Sequence, residues 1–132
     1  MFLGAVAIAA CAVNGPAWAQ TFPGKPIRIV VGFAPGGPAD VMARLVGQRM
    51  AAILGQSVVI DNRPGAGGTI GARAVAESDA DGYTLLLGNT STLVISPLTY
   101  KNVNYDAVKG FAPIALLGTT SNLLIEIGRA HV

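Results

Sequence analysis

The sequence predicts an α/β fold with a mostly parallel sheet and helices on both faces, and three observations carry that reading. Apolar runs short enough to be buried strands alternate with helical stretches, glycine-rich loops follow the first two strands, and no internal repeat or low-complexity tract breaks the order.

The elements follow in order. "PIRIVVGF" (26–33) is a β-branched apolar run suited to a buried parallel strand. A helix from Asp40 to Leu54 follows, with Met42, Leu45, Val46, Met50, Ile53 and Leu54 at helical spacing and Gly55 as its terminator. "SVVIDN" (57–62) is the second strand, "RPGAGG" (63–68) the second loop, and "TIGARAVAES" (69–78) a short helix whose glycine and alanines suit close packing. "DGYTLLLGN" (81–89) is a turn and the third strand, and a short helix or turn falls around 91–97. The stretch 100–111 reads as an extended surface connection, and "APIALLGTTSNLLIE" (112–126) as a fourth strand interrupted at Gly118 to Asn122.

The two ends read differently from the middle. Residues 1–19 carry no charge and join an apolar run to Asn14-Gly15-Pro16 and Ala17-Trp18-Ala19, the pattern of a signal peptide cleaved before Gln20. A basic start to that signal is missing, so the true start is expected upstream. Cys11, preceded by Ile8-Ala9-Ala10, has an alternative reading as a lipoprotein attachment site, but the Ala-Trp-Ala triplet accounts for more of the segment. If Cys11 leaves with the signal, the mature chain has no cysteine, and so no disulfide and no cysteine metal site. At the other end "IGRAHV" (127–132) resembles the translation of a common sequencing-library adapter, so His131, the single histidine, carries no functional argument.

With the ends set aside, a native piece from about Gln20 to Glu126 remains. The chain of 132 residues has 52% apolar and 12% charged residues, and part of that apolar excess belongs to the leader. Its nine Lys and Arg fall to eight without Arg129, against seven acidic residues, and they are scattered along the chain. Nucleic-acid binding is therefore not supported.

Three loops stand at carboxyl ends of strands, where open α/β sheets bind ligands: Phe33–Ala39, Arg63–Gly68 and Gly88–Thr92. In the first, glycines let backbone N–H groups turn inward, and Pro38 and Asp40 mark a helix start whose unpaired donors accept an anion without a cationic side chain. The absence of Gly-Lys-Ser/Thr excludes a Walker loop. "GAGGTIG" (65–71) resembles a dinucleotide fingerprint, but the acidic residue expected at the end of the next strand is replaced by Asn89. Thr90 or Ser91 can cap a helix, touch ligand, or do both. Phe33 is either core or ligand wall. Asp40 reads better as first-turn helix stabilisation than as a catalyst, since no histidine, serine elbow or paired carboxylate accompanies it. Arg63 can pair with a ligand carboxylate or with Asp61.

Three ordered motifs, "KPIRIVVGFAPGGPADVMARLVGQRM", "LGQSVVIDNRPGAGGTIGARAVAESDADGYTLLLGN" and "YDAVKGFAPIALLG", resemble the Bug family of periplasmic solute-binding proteins that serve tripartite tricarboxylate transporters. The match covers nearly all of 22–126. It implies a two-lobed protein of the type II periplasmic-binding class, with residues 20–126 forming the N-terminal part of lobe 1 and the start of the crossover to lobe 2. It also implies a small carboxylate held between lobes, contacted mainly through backbone groups and ordered water. The family's first loop falls here on Phe33, Ala34, Pro35, Gly36, Gly37, Pro38, Ala39 and Asp40, and its strand-three loop on Asn89, Thr90 and Ser91. No metal, cofactor or catalytic residue is implied. The implied partners are transporter membrane subunits, and the full-length protein is expected to be a monomer in the periplasm. The alternative is an exported α/β enzyme that uses Asp40 or Asp61, with catalytic partners in a C-terminal part.

Overall fold

A computed structural model describes residues 22–120. The readings made on residues 1–19, on Cys11 and on the tail 127–132 lie outside the described residues.

The described chain runs β1 (Ile27–Val31), α1 (Pro38–Leu54), β2 (Val58–Asn62), a 3-10 turn (Ala66–Gly68), α2 (Thr69–Ala76), β3 (Thr84–Leu87), a π-helical turn (Ser91–Ile95) and α3 (Ser96–Thr99). The three strands form one parallel sheet in the order β2-β1-β3. β1 is thus central, and its apolar residues on both faces have a physical cause: a middle parallel strand is covered on both faces. Ile29 and Val31 pack with Ala43 of α1 on one face, and Val30, pointing the other way, is wholly buried. α2 lies against β1 and β3.

Val31 pairs with Asn62 on one side and Leu87 on the other, so all three strands end level. The loops that leave them therefore emerge side by side.

α1 starts at Pro38 rather than Asp40, since proline's fixed φ suits the first helical position and its missing N–H costs nothing there. Gly55 ends it in a left-handed conformation, φ 67°, with its N–H donated to the Ala51 carbonyl. The buried stripe differs from the predicted one. Ala43 and Gly47 are buried and Val46, Met50 and Leu54 half-buried, whereas Leu45 and Ile53 face outward and are 58% and 82% exposed. Small residues decide the rotation: a Cβ on Gly47 would stand 3.2 Å from side-chain atoms of both Val58 and Ile60, so this face is the one that approaches the sheet closely.

The predicted fourth strand does not form over 112–120, and the rest of that run lies outside the described residues. An apolar extended segment becomes a strand only where a neighbour completes its backbone hydrogen bonds, and no described strand pairs with it. Ile114 and Leu116 are exposed. Ile114 and Leu117 instead border an apolar groove of about 370 Å³ beside Met50, Leu85 and Leu87.

Candidate ligand-binding site

The strand order creates the site. From β1 the chain travels through α1 to β2 on one side, then crosses back through α2 to β3 on the other. The loops that follow β1 and β3 consequently diverge above the sheet, and such a switch point leaves a crevice at the carboxyl ends of the strands. An open depression of about 610 Å³ lies there, lined by Phe33 through Ala39 of the first loop and by Asn89 beyond β3.

One wall of the depression is the N-terminus of α1. Gly37 occupies the cap position without a side-chain hydrogen bond, and Pro38 follows it. The amide donors of a helix's first turn have no partners within the helix, and the helix dipole adds positive potential there. Gly36 has φ 85°, a left-handed conformation that glycine adopts without strain. Gly37 does not, at φ −80°, and a Cβ placed on it would meet only the Ala34 carbonyl oxygen at 3.7 Å. Phe33 is half-buried against the core cluster while it also lines the depression.

Asp40 sits behind this wall and not on it. It is 3% exposed, and its Oδ2 accepts hydrogen bonds from Arg44 Nε at 2.8 Å and from the Gly36 amide at 2.9 Å. Its Oδ1 accepts from Asn62 Nδ2 at 3.0 Å. The Arg44 hydrogen bond, then the Gly36 amide, and further the Asn62 amide hold the Asp40 carboxyl well below the usual carboxylate range. Such a group stays ionised and fully engaged, which suits a brace and not a proton-transfer catalyst.

Asn62 is a residue in contact with the first loop that sequence reading missed. Its Nδ2 donates to the Phe33 carbonyl at 3.1 Å as well as to Asp40, tying both ends of the first loop to the end of β2. Its position as the last residue of a strand, level with the loop, was the available signal.

The strand-three loop also differs from expectation. Asn89, not Thr90 or Ser91, supplies the cap: its Oδ1 accepts from the Thr92 amide at 3.0 Å. Thr90 is exposed and Ser91 half-buried, and neither lines the depression.

The glycines of "GAGGTIG" serve packing. A Cβ on Gly68 would collide with Thr92 Oγ1, and Gly71 lies so close to Gly32 that its own Cβ would be 3.0 Å from the Gly32 Cα. The Gly67 carbonyl accepts from Thr92 Oγ1 at 3.3 Å and Ser96 Oγ at 3.2 Å, which clamps this loop against the segment after β3. Arg63 pairs with Asp61 at 2.9 Å, and Arg28 reaches the same carboxylate at 3.7 Å. Among the described residues no group of three or more His, Cys, Asp or Glu is placed to hold a metal ion.

Fold and depression together define a class: an α/β fold with a parallel sheet and an open crevice at the strand switch point, one wall of which is a helix N-terminus. A family model described as the tripartite tricarboxylate transporter family receptor matches residues 42–130. The chain belongs to that family, the TctC or Bug family of periplasmic solute-binding proteins. It is 52% identical over 99 residues to a UPF0065 protein of Bordetella bronchiseptica, covering 75% of this chain and 30% of that protein. It is 40% identical over 119 residues to BugT of Bordetella pertussis, covering 89% and 36%. Among solved structures, MatC from Rhodopseudomonas palustris with bound malate superposes with a TM-score of 0.69 at 43% identity, over 73% of this chain and 33% of that one. Rpa4515 of R. palustris with adipate gives 0.63 at 41%, over 65% and 29%. The chain thus spans about a third of the length of the curated relatives it matches.

Proposed function

We propose that the whole protein is exported, with its signal cleaved before Gln20, and captures a small carboxylate for a transporter of the tripartite tricarboxylate type. Residues 20–126 contribute the N-terminal part of the first lobe, and the ligand lies between this lobe and a second one. The observation that carries the reading is the depression formed by Phe33–Ala39 and Asn89 at the start of α1. An anion placed there meets first-turn amide donors and a favourable dipole, with Asp40 neutralised by Arg44 behind the wall. Backbone amides of the loop bind the carboxylate, and Asn89 adds a side-chain contact. The ligands of two family members, malate in MatC and adipate in Rpa4515, are of the same chemical class.

Calorimetry on the full-length protein tests this with L-malate, adipate and their uncharged diamides. The acids should bind and the diamides should not. Binding of neither acid, or equal binding of a diamide, refutes carboxylate recognition at this wall.

A further inference from the structure

We propose that Asn62 is the positioning residue of the binding loop, fixing the Phe33–Asp40 segment in its cradle shape through the two donors of a single side-chain amide. The inference rests on the carboxylate-binding reading above and adds a residue that lines no part of the depression.

The geometry is a closed clamp. An asparagine amide carries two N–H groups, and both are used here: one reaches the Phe33 carbonyl at 3.1 Å and the other Asp40 Oδ1 at 3.0 Å. The second oxygen of Asp40 holds the Gly36 amide at 2.9 Å. Phe33, Gly36 and Asp40 are thereby tied to one half-buried point at the end of β2. Both Phe33 and Gly36 line the depression, and Gly36 holds its left-handed φ there. Because Asn62 pairs with Val31 in the strand register, the clamp is anchored to the central sheet and not to another loop. Removing Asn62 leaves a backbone carbonyl and a carboxylate oxygen without their donor, and a loop so released samples other conformations.

The test uses the full-length protein with four variants: Asn62→Ala, Asn62→Asp, Asp40→Asn, and the swap that combines Asn62→Asp with Asp40→Asn. Asn62→Asp sets acceptors against acceptors. In the swap the amide introduced at position 40 donates to the carboxylate introduced at position 62, and the oxygen of that amide still accepts from Gly36, so part of the clamp returns. Amide hydrogen exchange of segment 33–40 in ligand-free protein should quicken by about tenfold in Asn62→Ala and Asn62→Asp, with β1 and the later turns of α1 unchanged. The swap should recover part of that loss, which a merely space-filling residue would not show. L-malate affinity should follow the same order, with about a tenfold loss for Asn62→Asp. Equal acceleration across the loop, β1 and α1, a swap no better than Asn62→Asp, or unchanged malate affinity with an opened loop overturns the proposal. If the unaltered protein binds neither L-malate nor adipate, the carboxylate reading fails, and the exchange pattern with the swap alone decides whether Asn62 positions the loop.

Discussion

Gly32, just after β1, and Gly68, just before α2, meet backbone to backbone: a Cβ added to Gly32 would stand 2.7 Å from the Gly68 Cα and 2.8 Å from its carbonyl oxygen. Neither partner can move like the end of a flexible side chain. The contact brings the second loop against the end of the central strand, one residue before the Phe33–Ala39 loop.

Gly32→Ala should therefore destabilise the full-length protein by about 1–3 kcal/mol, the usual cost of overpacking. Denaturant unfolding monitored by circular dichroism measures it. An unchanged midpoint would show that the two backbones separate freely.

Ligand affinity separates the wall from what lies behind it and beside it. Gly37→Val should fold normally, because the added Cβ meets only the Ala34 carbonyl oxygen at 3.7 Å, and should crowd the anion, costing about tenfold in Kd. Thr90→Val should bind as the unaltered protein does, since Thr90 does not line the depression, whereas Asn89→Ala should weaken binding. Calorimetry with L-malate checks the order, and a Thr90→Val loss as large as that of Gly37→Val would contradict it.

Asp40 gives a pH dependence with a definite sign. Its folded-state pKa lies below the ordinary carboxylate value of about 3.9, so its contribution to stability is complete above that pH and is lost as pH falls below it. Asp40→Asn should lower the melting temperature at neutral pH. The introduced amide would confront the donor of Asn62, so the loss exceeds what helix capping alone suggests. The gap between variant and unaltered protein should narrow progressively below about pH 4. A gap that stays constant down to strongly acidic pH would mean the ionised carboxylate contributes nothing.

The clamp on the second loop is a separate target. Thr92 and Ser96 are 1% and 2% exposed, and both hydroxyls donate to the Gly67 carbonyl. Thr92→Val, close in shape, should cost about 0.5–1.5 kcal/mol, and removing both hydroxyls should cost more than the two single losses together, because only then is the carbonyl left without a donor. Thermal unfolding of the two single variants and the double variant decides it.

The sequence by itself determined the first three strands and the two longer helices, because their cues are local. The β-branched run Ile27–Val31, proline at the start of α1, glycine at its end and the glycine-rich turns act within a few residues. It also placed the first loop at a carboxyl strand end, and its three ordered motifs carried the family. Tertiary structure alone decided what depends on pairing across distance. The order β2-β1-β3 sets the switch point, and nothing local to β3 says which edge of β1 it joins. The run at 112–120 has strand composition yet no described partner to accept its hydrogen bonds. The buried face of α1 turned toward Ala43 and Gly47 because close approach to Val58 and Ile60 favours the smallest residues over the most apolar ones. Asn62, 22 residues from Asp40 in sequence, meets the first loop only because parallel pairing set the end of β2 beside the loop that leaves β1.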